Sequence, residues 1–121
     1  MQDCIRFCIN HKLVLLADEV YQENIYVDTV KFVSFRKAAL DMGDEAAALQ
    51  MISFHSISKG FFGECGRRGG YMQIMGFDKD TYKEFVKLWS INLCSNLDGQ
   101  IAVDVMVNPP KPGEPSYPLF A

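Results

Sequence analysis

Leu13-Val14-Leu15-Leu16-Ala17 is an unbroken apolar run that closes on Asp18-Glu19. A run without polar alternation predicts a strand buried on both faces of a parallel sheet. It is too short to cross a bilayer. Its surroundings predict the rest of an α/β pattern. Asp3 to Lys12 reads as a helix with Ile5, Cys8 and Ile9 on one side. Glu19 to Asp28 reads as a loop, and Phe35 to Met42 as a second helix stopped by Gly43. Leu49 to His55 and Gly69 to Met75 read as two more strands. Asp78 or Asp80 can cap a helix running to about Leu93, whose Tyr82, Phe85, Val86, Trp89 and Leu93 mark a buried stripe. Gly99 to Val107 reads as a last helix, although Ile101, Val103, Val105 and Val107 also alternate as a strand would. The order gives an α/β fold: a partial central sheet with flanking helices. Ligands of such sheets sit at the carboxyl ends of strands, where Asp18 and Ser56 both fall.

Composition removes several function classes. The 121 residues are 49% hydrophobic and 22% charged, which fits one globular domain or a piece of a larger one. A net charge of −3 offers no basic excess for nucleic acid or an anionic membrane. Cys4, Cys8, Cys65 and Cys94 show neither zinc-ligand spacing nor a dense disulfide framework, so they read as reduced thiols. Neither a metal site nor a targeting segment within these residues is expected. Pro109, Pro110, Pro112, Pro115 and Pro118 predict an extended stretch from Asn108 to Pro118.

The chemistry concentrates between Ser56 and Tyr71, in Ser56-Ile57-Ser58-Lys59-Gly60-Phe61-Phe62-Gly63-Glu64-Cys65-Gly66-Arg67-Arg68-Gly69-Gly70-Tyr71. A lysine amine can form a Schiff base with an aldehyde. Ser56, Ser58 and Arg68 can grip a phosphate dianion, and Gly66, Gly69 and Gly70 keep the backbone open to it. Ile57, Phe61 and Phe62 beside Lys59 would desolvate the amine and favour its nucleophilic form. The set suits a phosphorylated aldehyde cofactor. No GxxxxGK[ST] loop is present. Asp18, closing its strand, can pair with a protonated ring nitrogen, and the Tyr21 hydroxyl can reach a ring oxygen. On pattern alone, an acid that caps a loop and a tyrosine that packs are the simpler account of those two, because many strands end this way. A surface lysine is the plain alternative for Lys59. His55 reads as a loop or core histidine, Arg67 as a surface charge, and the Tyr82, Phe85 and Trp89 stripe as core.

Taken together, these residues resemble the large domain of class I/II pyridoxal-phosphate aminotransferases of fold type I, and within them the alanine aminotransferase branch. The resemblance rests on Leu15 to Asn24, on Ser56 to Tyr71 with its Gly63-Glu64-Cys65-Gly66 insert, on Asn92-Leu93-Cys94-Ser95, on Gly99-Gln100 and on Val107-Asn108-Pro109-Pro110. It implies pyridoxal 5'-phosphate as cofactor, with Lys59 as the Schiff-base lysine and proton shuttle. Asp18 would pair with the pyridine nitrogen, and Tyr21 with the ring oxygen. Ser56 and Arg68 would bind the phosphate, with Ser58 as a further contact. The implied reaction is ping-pong transfer of an amino group from L-alanine to 2-oxoglutarate, giving pyruvate and L-glutamate. A homodimer in the cytoplasm or mitochondria is implied as well. Residues 1–107 would be a segment of the large domain, and 108–121 a Pro-rich connector toward a small domain. Family members are several times longer, so the chain is expected to be an internal fragment, inactive by itself. The competing expectation is a truncated, non-catalytic remnant that retains part of a cofactor site.

Overall fold

The computed structural model describes residues 1–121. In chain order it contains α1 (Gln2–Asn10), β1 (Leu15–Asp18), α2 (Phe35–Met42), β2 (Met51–Ser56), β3 (Gly70–Met75), α3 (Lys79–Ser90), α4 (Leu97–Val107) and α5 (Tyr117–Phe120). Short 3-10 turns lie at Gly43–Ala46 and Cys65–Arg67. The result is a mixed α/β fold around a three-stranded sheet of order β1-β2-β3. β1 runs parallel to β2, with Leu15 opposite Met51 and Asp18 opposite Phe54. β3 runs antiparallel to β2, with Met51 opposite Met75 and Ser56 opposite Gly70.

One face of the sheet carries the core. Leu15 and Met51 meet Ile5 and Cys8 of α1 and Ala38 and Ala39 of α2, with Ala46 and Leu49 closing the end. Alanines on α2 let its backbone approach closely, and the Ser34 hydroxyl caps its start by accepting the Lys37 N–H at 3.0 Å. Gly76 ends β3 at φ +80°, and a Cβ there would stand 1.9 Å from the Leu49 carbonyl oxygen. Only glycine fits that turn.

Three expectations are corrected, and one open choice is settled. β1 starts at Leu15 and is buried on one face only: Leu15 and Ala17 are covered, whereas Leu16 is 62% exposed. α1 and α2 cover the first face, and Leu16 on the second stays largely open. α3 is capped by Asp78, as the sequence suggests, yet none of its residues is buried. Its aromatic stripe stacks on itself instead, Phe85 on Trp89 at 5.8 Å and Phe77 edge-on to Phe85 at 5.4 Å. Leu93, past the helix end, is 92% exposed. The proline-rich stretch is not wholly extended. It turns, with the Glu114 carboxylate accepting the Lys111 N–H at 3.0 Å, and then forms α5. Pro118 falls in the first turn of α5, where a missing N–H breaks no helical hydrogen bond. For residues 97–107, the helix prevails over the strand, because Asn96 caps it by accepting the Gly99 N–H at 2.7 Å.

Candidate functional site

β1 ends at Asp18 and β2 at Ser56, so the parallel pair delivers both side chains to the same sheet edge, as expected. The segment from Ile57 to Gly69 bridges β2 to β3. Ile57 is fully buried and anchors it. The Ile57 N–H donates to the Gly69 carbonyl at 3.1 Å, and the Ile57 carbonyl accepts the Glu64 N–H at 2.8 Å. The Lys59 carbonyl accepts the Gly63 N–H at 3.3 Å, so the segment curls back beneath Lys59. The Ser56 hydroxyl oxygen accepts the Ser58 N–H at 3.3 Å, which leaves the hydroxyl proton free to donate to an anion.

Three hollows adjoin along this edge. Lys59 lines the largest, about 500 Å³, with Phe62, Met106 and Phe120 among its walls. Asp18 and Ser56 line a groove of about 440 Å³ with Phe54 and Met72. His55 and Tyr71 belong to both, their rings edge-to-face at 5.6 Å. Arg68 lines a hollow of about 280 Å³ against Gly99 and Val103 of α4, and Gly70 joins it to the groove. The fold thus brings Asp18 and Ser56 together and sets Lys59 and Arg68 in the neighbouring hollows. Tyr21 and Ser58 line none of the three. Tyr21 is 58% exposed. Lys59 is exposed as well, so Ile57, Phe61 and Phe62 do not enclose its amine as expected.

Charge pairing separates the two adjacent arginines. Arg67 is tied to Asp98 at 3.4 Å and to Glu64 at 4.0 Å. Arg68 has no carboxylate partner; its guanidinium donates to the Cys65 carbonyl at 3.0 Å and touches the Cys65 sulfur at 3.5 Å. Lys59 is likewise free of ion pairs. Asp18 uses one oxygen to accept the Val20 N–H at 3.2 Å. The His55 Nδ1 atom is buried without a hydrogen-bond partner. An amine free of ion pairs, a guanidinium without a carboxylate partner, a hydroxyl with a free proton and a carboxylate complement a phosphorylated aldehyde carrying a basic ring nitrogen. By donor chemistry, the residues present fit pyridoxal phosphate.

His55 and Tyr71, which divide the two larger hollows, were not singled out by sequence reasoning as site residues. Period-two spacing on β2 and β3 pairs them across the ladder, and that was the available signal. Asn96 was also missed. It contacts the Arg68 carbonyl from 28 residues away, a separation that no local pattern encodes.

Similarity to known proteins gives the class first: over nearly its whole length the chain is similar to aminotransferases. More particularly, it is similar to alanine aminotransferases. It is 54% identical to a probable mitochondrial alanine aminotransferase of Dictyostelium discoideum over 99% of this chain, and 49% identical to alanine aminotransferase 1 of Bos taurus over 99%. A glutamate–glyoxylate aminotransferase of Arabidopsis thaliana is 47% identical over 100% of the chain. The matched regions are 23%, 24% and 25% of those proteins, so the chain spans about a quarter of their length. No family model matches the chain. No helix is long and apolar enough to cross a membrane.

Proposed function

We propose that the chain is the cofactor-binding segment of a pyridoxal-phosphate-dependent alanine aminotransferase of fold type I. The observation that carries this is 54% identity to an alanine aminotransferase over 99% of the chain. The site geometry supports it: Lys59 and Arg68 are free of ion pairs, and Asp18 and Ser56 share one groove between them. Residues 1–107 then form part of the large domain, and 108–121 lead toward a small domain. The whole enzyme would be a homodimer, cytoplasmic or mitochondrial; three of the similar proteins carry mitochondrial names.

When bound, the cofactor supplies an electron sink for charge that develops at the substrate α-carbon. This chain's own residues do the remaining work. Arg68 and Ser56 hold the phosphate through charge-assisted hydrogen bonds, with Ser58 as a further contact. Asp18 keeps a proton on the ring nitrogen by offering it a negative partner. Tyr21 donates to the ring oxygen, which requires the loop after β1 to turn its exposed side chain inward. Lys59 Nζ would hold the cofactor covalently through its aldehyde. Once released, the same nitrogen would be the base that takes a proton from the substrate α-carbon and later gives it back. The substrates are L-alanine and 2-oxoglutarate, the products pyruvate and L-glutamate.

Two measurements test this reading. Borohydride treatment of the chain with pyridoxal phosphate should fix the label on Lys59, as read by peptide mass spectrometry; labelling centred on another lysine would remove the assignment. A chimera in which this chain replaces the matching quarter of the Dictyostelium protein should transaminate alanine with 2-oxoglutarate. Its Lys59→Ala variant should lose activity by at least about a thousandfold.

A further inference from the structure

Asn96 stands immediately before α4 and uses both ends of its carboxamide. Its Oδ1 accepts the Gly99 N–H at 2.7 Å, while its Nδ2 donates to the Arg68 carbonyl at 3.2 Å. The same turn of α4 presses on the same stretch of backbone. A Cβ on Gly99 would lie 2.9 Å from both the Arg67 and the Arg68 carbonyl oxygens. One on Gly69 would lie 2.5 Å from the Gly99 carbonyl oxygen. Asp98 in this turn holds the Arg67 guanidinium at 3.4 Å. Between these contacts, Arg68 is held at φ +55°, a left-handed conformation that a residue with a Cβ keeps only where its surroundings enforce it.

We infer that Asn96 is a positioning residue for Arg68: its side-chain amide fixes the strained peptide from which the guanidinium meets the cofactor's phosphate. The inference rests on the reading that Arg68 grips that phosphate. Asn96 is hydrogen-bonded to the Arg68 backbone and to the start of its own helix, and it lines neither the Lys59 hollow nor the Asp18 groove. Its loss should therefore weaken recognition of the phosphate and leave the reaction of the Lys59 amine with an aldehyde unchanged. Asn96→Ser separates the two jobs of the side chain. Serine is an equally good helix cap, but it is too short to keep the second bond to Arg68.

The test compares capture of pyridoxal phosphate with capture of unphosphorylated pyridoxal at Lys59 of the full 121-residue chain. Both are trapped by borohydride and quantified by peptide mass spectrometry across a concentration range. The parent chain should prefer the phosphorylated aldehyde. Asn96→Ser and Asn96→Ala should each raise its half-saturating concentration roughly five- to tenfold and leave that of pyridoxal unchanged. Arg68→Ala should abolish the preference, and adding Asn96→Ser to it should change nothing further. An Asn96→Ser chain with its full phosphate preference would reduce Asn96 to a helix cap and overturn the inference. Equal losses for the two aldehydes would also overturn it, as the mark of a general structural defect. A parent chain with no phosphate preference would instead remove the role of Arg68, and the inference with it.

Discussion

Asp18 and Glu19 are adjacent carboxylates with different jobs. Glu19 reaches across 16 residues to accept the Phe35 N–H at 2.7 Å, which satisfies a donor at the start of α2 that has no partner within the helix. Asp18 makes only the local bond to Val20 and faces the groove with Ser56. Glu19→Ala should therefore lower the unfolding free energy by about 1 kcal/mol in urea titrations and leave cofactor capture at Lys59 intact. Asp18→Ala should do the reverse. Identical profiles for the two variants would mean that the wrong carboxylate faces the ring. Similar logic divides the arginines: the sequence points to Arg68 through its glycine neighbours, and the ion pairs of Arg67 supply the physical reason. Tyr21 shows where such reading stops. Its spacing from Asp18 is plain in the sequence, but the direction of an exposed loop side chain depends on what packs against it, and Tyr21 is mostly open to solvent.

At the scale of elements, α3 shows how much local pattern can settle. Asp78 accepts the Asp80 and Thr81 N–H groups at 2.9 Å and the Thr81 hydroxyl at 2.6 Å. The Thr81 hydroxyl first, then the Thr81 amide, hold its carboxyl below the usual aspartate range. A depressed carboxyl pKa places the stabilising contribution above the unfolded value, and that contribution fades as pH falls through the lower folded value. Protection of the Asp80 and Thr81 amides, referred to the intrinsic exchange rate at each pH, should accordingly fall on acidification through the lowered carboxyl range, and Asp78→Asn, a neutral cap, should flatten that dependence. An equal acid response in the variant would place the titration elsewhere. The cap and the helical period were legible because both are local. What covers the stripe was not, because Tyr82, Phe85 and Trp89 have the spacing of a buried face whether or not a neighbour is present. The parallel pairing of β1 and β2 was legible from the apolar run. The one-sided cover of β1 was not, since it depends on which helices return to the sheet.

The whole molecule leaves much surface uncovered. A compact monomer of this mass exposes about 6,600 Å², whereas this chain exposes 9048 Å² and buries only 12 of its 121 residues. β1 and β3 each pair on one side only, so both sheet edges are open. The isolated chain should self-associate in sedimentation velocity, bind an apolar dye, and show no transamination of alanine with 2-oxoglutarate. A dye-silent monomer, or measurable turnover, would contradict this. The bridging segment bears on a different matter, its tolerance of change in length. It is tethered at both ends by paired backbone, Ser56 against Gly70 and Ile57 against Gly69. The entropy of closing such a tether rises only logarithmically, by about 0.6 kcal/mol for each doubling. Residues added near Gly63, where a Cβ would meet no other atom, would lengthen the tip without shifting the strand register. Residues added at that tip would therefore leave in place the strand ends that carry Asp18 and Ser56.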